Sequence, residues 1–122
     1  MGGMRQGFAH QAVVQMAPDA DLGAPGAAIT TVLCGHWEHE PPCPIASHHT
    51  SAERIGDDVR LRILFATEPH LEASVRQDID RALGRGELLG PDGRTTRWRL
   101  RLSGSSEPAG RELAHLARLT CG

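Results

Sequence analysis

The hydrophobic pattern between residues 58 and 102 constrains the fold most, because it contains signals for a strand, a helix and a second strand in succession. Apolar and polar residues alternate over residues 59–65, which is typical of a half-buried strand. Alternation returns over residues 97–102, with Trp98, Leu100 and Leu102 on the predicted inner side. Between them, apolar residues recur at helical spacing at Leu71, Val75, Ile79, Ala82 and Leu83. This succession predicts two parallel strands joined by a right-handed crossover.

Two further segments complete the predicted architecture. Residues 28–37 contain a run of β-branched side chains around Ile29 and Val32, which favours a strand. A last helix is predicted after Pro108, with Leu113, Leu116 and Ala117 as its apolar side. The predicted element order is β, Cys/His-rich loop, β, α, β, α. Because each predicted strand has one apolar face, we expect an α+β two-layer sandwich of ferredoxin-like character, with both helices on one face of the sheet.

A chain of 122 residues is long enough to bury one core. The structural signals begin near residue 28, so residues 28–122 are predicted to form a single α+β domain. Residues 1–27 are predicted to be a loosely ordered N-terminal segment, since they contain turn-forming residues but no strong periodic pattern.

Cysteine and histidine are concentrated in residues 34–49. This window of 16 residues holds six of the ten Cys and His residues of the chain, where an even distribution would place about one. Thiolates and imidazoles are the side chains that bind borderline-soft transition metals best. The sequence therefore predicts a metal-binding protein, with zinc as the cofactor and copper or nickel as alternatives. The candidate ligands are Cys34, His36, His39, Cys43, His48 and His49.

Spacing indicates how these ligands could converge. On the predicted strand, Cys34 and His36 would point to the same face. Three prolines around Cys43 exclude regular structure, so an irregular loop would bring Cys43 back towards the strand end. The side chains of His48 and His49 diverge in an extended chain, and we expect only one of them in any single site. The predicted set is Cys34, His36 and Cys43, completed by His39, His48 or His49.

Other hypotheses fit the same residues. The two cysteines could be ordinary core and turn residues and the histidines solvated, which would leave no site. A small metalloenzyme with an open metal position, using Glu38 or Glu40 as a base, is less favoured because no catalytic signature accompanies the cluster.

A third hypothesis is an interaction module with an arginine-rich sheet face. If the strands at 59–65 and 97–102 are neighbours, one open face carries Arg60, Arg62, Arg97, Arg99 and Arg101. RNA-binding sheets stack bases on aromatic residues, and this face has none. Lys, Asn and Tyr are absent from the chain, which indicates a GC-rich bacterial genome in which Arg is the general basic residue. With a net charge of −2, nucleic acid is not an expected partner, whereas a protein partner or a homodimer through the sheet face stays open.

The compartment is predicted from what the sequence lacks. No apolar run reaches the roughly 18–20 residues of a membrane span, and the first residues do not have the pattern of a signal peptide. Three cysteines, an odd number, do not favour a disulfide framework. We therefore expect a soluble cytoplasmic protein without a membrane partner.

Overall fold

The computed structural model describes residues 5–34 and 47–121, which contain six strands and three α-helices. The strands are β1 (Gln6–Gln15), β2 (Ser47–Ile55), β3 (Asp58–Thr67), β4 (Glu87–Leu89), β5 (Thr95–Arg97) and β6 (Arg99–Ser106). The helices are α1 (Ala24–Cys34), α2 (Glu72–Gly84) and α3 (Gly110–Cys121), and a 3-10 turn at Pro69–Leu71 precedes α2. The predicted α+β class is confirmed, but the predicted order of elements is not.

The main sheet has four strands in the order β2-β3-β1-β6, and every pairing between these strands is antiparallel. Strands β4 and β5 form a separate hairpin. Since β3 and β6 both run antiparallel to β1, they run parallel to each other, as the strand–helix–strand pattern predicts. They are not neighbours, however, because β1 lies between them.

Strand β1 corrects the expectation of a loosely ordered N-terminal segment. All ten of its residues pair with β3, and the other side of the strand pairs with β6. Ala12 and Val14 are fully buried in the main core, and Ala9 is fully buried on the opposite face of the sheet. Alanine and glutamine have low strand propensity, so the strand is stabilised by its two neighbours more than by its own composition.

Helix α1 corrects the strand predicted for residues 28–37. The threonine hydroxyls donate to carbonyls four residues earlier, Thr30 to Gly26 at 3.1 Å and Thr31 to Ala27 at 3.0 Å. These bonds satisfy the two hydroxyls within the helix. Ile29 and Leu33, four residues apart, are fully buried on the same face of α1. Burial of this pair outweighs the β-branched composition on which the strand prediction depended.

The helices lie on both faces of the sheet, which corrects the prediction of one helical face. Helices α1 and α2 cover the face that carries Val59, Leu61, Ile63 and Phe65, and the main core lies there. Helix α3 covers part of the opposite face, where Leu116 packs on Ala9 and Leu64. The physical reason is visible in β3, whose residues 63–67 are all buried and therefore need cover on both faces.

Several local predictions are confirmed. The helical pattern at Val75, Ile79, Ala82 and Leu83 is the buried side of α2. Trp98 is buried as expected, and its indole N–H donates to the carbonyl of Leu83 at 2.8 Å.

Leu102 is an exception to the predicted alternation. A β-bulge between Val13 and Val14 shifts the pairing of β6, so Leu100 and Leu102 lie opposite adjacent residues of β1. Leu102 therefore turns to the other sheet face and is 55% exposed.

In residues 5–34 and 47–121, no helix is both long and apolar enough to cross a lipid bilayer.

Candidate functional site

The predicted metal ligands fall at the two ends of one connection. Cys34 is the last residue of α1, and His48 and His49 lie at the start of β2. His36, His39 and Cys43 lie in the connection itself, outside the described residues. Because Cys34 belongs to a helix, the strand alternation that was expected to align it with His36 does not apply.

His48 contacts α1 directly. The hydroxyl of Thr30 already donates to Gly26, so its oxygen accepts the hydrogen bond from Nε2 of His48 at 2.9 Å. This contact holds the start of β2 against the last two turns of α1. Cys34 follows Thr30 by four residues, about one helical turn. The connection that carries His36, His39 and Cys43 therefore begins and ends at elements that are packed together.

His49 lies on the opposite face of the sheet. Its ring contacts His115 of α3, with ring centroids 4.6 Å apart and an angle of 42° between the planes. Burial lowers the pKa of His115, and the neighbouring His49 and Arg118 lower it further. The predicted divergence of His48 and His49 is thus confirmed, and it follows from the alternation of side chains along a strand.

Within residues 5–34 and 47–121, no three Cys, His, Asp or Glu side chains come close enough together to hold a metal ion. Three of the six predicted ligands lie outside these ranges. Among the described residues, a cleft of about 640 Å³ between the loop before α1 and the β4–β5 hairpin is lined by neither His48 nor His49.

A buried polar cluster around His10 was not predicted from the sequence. His10 is 1% exposed and lies between β6 and α2. Its Nε2 is 2.8 Å from Oγ of Ser103, whose hydroxyl donates to Asp80. Its Nδ1 is 3.0 Å from a guanidinium nitrogen of Arg76. The only sequence signal was the alternation of Phe8, His10, Ala12 and Val14, which places a histidine on an otherwise apolar strand face.

The hydrogen bonds of this cluster determine its chemistry. A guanidinium can only donate, so Nδ1 of His10 accepts and Nε2 carries the proton. The chain of donors runs from Nε2–H to Ser103 and from Ser103 to Asp80. Burial lowers the pKa of His10, although Asp80 acts to raise it, and Arg76 lowers it further. Because His10 donates to Ser103, it cannot accept the serine proton as a general base, so this Ser–His–Asp arrangement is not a catalytic triad.

The predicted arginine face is not an open surface. Arg62 forms a two-pronged ion pair with Glu112 of α3 at 2.9 and 3.0 Å and donates to Ser106 and to the carbonyl of Glu107, both at 2.6 Å. Arg97 belongs to β5 of the separate hairpin. Arg101 lies beside the bulge, 3.7 Å from Asp58. The expectation of five arginines on one sheet face is therefore wrong, because α3 covers part of that face and the hairpin removes Arg97 from it.

No protein-family model, curated protein or solved structure matches this chain. The function is therefore argued from the chemistry of its own residues.

Proposed function

We propose that this protein binds one transition metal ion, zinc in the first place and copper or nickel as alternatives, and acts as a metal-handling or metal-stabilised interaction module. The proposed ligands are drawn from Cys34, His36, His39, Cys43 and His48. A closed tetrahedral zinc site needs four nitrogen or sulfur ligands, and five are present in this set.

The observation that carries the proposal is the packing of the start of β2 on α1 through the bond between His48 and Thr30. Two candidate ligands, Cys34 and His48, belong to these two packed elements. The connection between them is twelve residues long and contains the other three candidates. Closing this short connection around an ion requires little further ordering of the chain.

The hydrogen bond of His48 also fits a metal ligand. Coordinating histidines usually donate their second ring N–H to a protein acceptor, which fixes the tautomer and the ring orientation. Thr30 is such an acceptor for Nε2 of His48, so coordination at this residue would use Nδ1. His49 is left out of the set because it contacts α3 on the other sheet face.

We also propose that the fold has ferredoxin-like character. If the β4–β5 hairpin and α3 are regarded as additions, the remaining order β1-α1-β2-β3-α2-β6 has the β-α-β-β-α-β arrangement of that fold. The antiparallel strand order supports this proposal. A cytoplasmic location is proposed from the sequence alone, because a reducing compartment keeps cysteine thiols available as ligands.

Native mass spectrometry of the purified chain, before and after chelation, tests the metal proposal. We expect a mass increase of one zinc ion per chain that chelation removes. Cys43→Ser and His36→Ala should each lower zinc affinity by at least about tenfold, the size of effect expected for a lost ligand or its partner. Cys121→Ser is the matched control, because this cysteine lies at the end of α3, and it should retain zinc. Retention of zinc at the native level by Cys43→Ser would reject the proposed ligand set.

A further inference from the structure

We propose a second metal site on the opposite face of the sheet, formed by His49 of β2 and His115 of α3. It would take a divalent transition ion such as Ni²⁺ or Cu²⁺, with water in the remaining coordination positions. This site shares no ligand with the Cys/His set proposed above.

The ring geometry suits one shared ion. Two imidazoles that bind one metal at the usual distance of about 2.0–2.1 Å have ring centroids about 4.5–5 Å apart, for bond angles between about 90° and tetrahedral. The observed separation of 4.6 Å lies in this range, and the rings are tilted rather than stacked flat. The separation and tilt of the two rings are therefore compatible with one ion shared between them.

The surroundings leave the two imidazoles accessible to an ion. His49 is exposed and His115 is half-buried, so the pair is accessible from solvent. The nearest described acid on α3, Glu112, is already paired with Arg62 and bonded to the backbone N–H of Ala109. The two imidazoles therefore form a solvent-accessible pair of nitrogen donors whose nearest described acid on α3 is already engaged. Imidazole ligands suit both copper and nickel, and of these two divalent ions Cu²⁺ is expected to bind more tightly.

Binding at this pair would tie α3 to the sheet. His49 and His115 are 66 residues apart in the sequence and belong to different elements, β2 and α3. The apolar cluster at Leu116 joins α3 to β1 and β3, through Ala9 and Leu64. An ion that binds only when both elements are in place must stabilise the folded state by mass action.

Thermal unfolding of the full chain in increasing Ni²⁺, after the Cys/His set has been filled with one zinc ion per chain, tests this site. We expect the midpoint to rise by about 3–6 °C once Ni²⁺ exceeds its dissociation constant about tenfold. His49→Ala and His115→Ala should abolish the rise. His70→Ala, which removes an exposed histidine on the 3-10 turn, should keep it. Cys43→Ser should also keep it, which separates this site from the proposed zinc site.

Nuclear magnetic resonance of the unmodified chain gives a second readout that does not depend on variants. Paramagnetic Ni²⁺ should broaden the imidazole signals of His49 and His115 before that of His70. A midpoint that does not rise in the native chain, a rise that persists in His115→Ala, or a rise that is lost in Cys43→Ser would each overturn the proposal. So would equal broadening of all three histidines.

Discussion

His10 shows what a single buried polar residue contributes to this core. Its two ring nitrogens are both satisfied, one by Arg76 and one by Ser103, so burial leaves no unpaired donor or acceptor. Arg76 also lies over the rings of Phe8 and Phe65, at 5.9 and 5.2 Å from their centroids. The cluster thus joins a charged helix side chain to the apolar core through one neutral imidazole.

We predict that the neutral state of His10 makes stability dependent on pH. Its folded pKa is lowered below the ordinary value of 6.5, so the unfolded chain binds a proton that the folded chain does not. The contribution of neutral His10 to the free energy of unfolding is complete above about pH 6.5 and is lost as pH falls through the folded pKa. His10→Gln should cost about 1–3 kcal/mol at pH 7.5, because Arg76 and Ser103 lose a well-placed partner.

Urea unfolding at pH 7.5 and 5.5 measures this effect. The pH-dependent loss of unfolding free energy should be smaller in His10→Gln than in the native chain, by up to about 1.4 kcal/mol per pH unit. His70→Gln is the control, since His70 is exposed, and its pH dependence should match that of the native chain. Equal pH dependence in the native chain and His10→Gln would show that His10 takes up its proton without unfolding.

At the scale of elements, α3 contacts the sheet through an apolar contact at Leu116, an ion pair at Glu112 and the ring contact of His115 with His49. Gly7 permits the apolar contact, because a side-chain carbon there would lie 2.9 Å from Cβ of Leu116. The ion pair joins Arg62 of β3 to Glu112 in the first turn of α3. Glu112 also accepts from the backbone N–H of Ala109 at 2.7 Å, as in a capping box. The helix is therefore positioned at its start by the residue that also caps it.

We predict that the docking of α3 weakens in acid. The bonds from Arg62 are the main cause that holds the pKa of Glu112 at about 2, against an ordinary value of 4.5. The stabilisation from this ion pair is present above about pH 4.5 and is lost as pH falls towards 2. The lowered pKa of Glu112 corresponds to a contribution of about 3 kcal/mol to the free energy of unfolding. Glu112→Gln should lower the unfolding free energy by about 2–3 kcal/mol at pH 7, with the difference shrinking as pH falls below 4.5.

Urea unfolding from pH 7 to pH 3 checks this prediction. Glu107→Gln is the matched control, because Glu107 is exposed. In the bonds described, Arg62 donates to the backbone carbonyl of Glu107 and not to its carboxylate. It should change the unfolding free energy by less than about 0.5 kcal/mol. A difference between the native chain and Glu112→Gln that stays constant down to pH 3 would contradict the ion pair as its cause.

At the scale of the whole molecule, periodicity alone predicted part of the fold. Strand β3 and helix α2 could be read from the sequence because the residues that each buries in the main core recur at a single period, two in β3 and about 3.6 in α2. Strand β1 could not, since its alanines and glutamines form a strand only between β3 and β6. Helix α1 could not be read from the sequence, since the hydroxyls of its threonines donate hydrogen bonds to carbonyls of the same helix. The second helical layer could have been suspected from the unbroken apolar run at residues 63–66.

The candidate site was predicted to a similar extent. The alternation of side chains along a strand predicted that His48 and His49 point in opposite directions, and in the structure they lie on opposite faces of the sheet. The partners of each, Thr30 and His115, depend on the tertiary arrangement and carry no local signal in the sequence. Cys34 was assigned to the wrong kind of element, so the strand alternation from which its pairing with His36 was inferred does not apply. Its place at the start of the Cys/His-rich connection is unchanged.

X-ray absorption at the zinc edge of the zinc-loaded chain tests the central proposal most directly, because it reports the atoms bound to the metal. The proposed site predicts sulfur neighbours at about 2.3 Å from Cys34 and Cys43, together with nitrogen neighbours at about 2.0–2.1 Å from histidine. Cys43→Ser should reduce the sulfur contribution by about half. A spectrum with nitrogen and oxygen neighbours alone, or a chain that retains no zinc, would contradict the account.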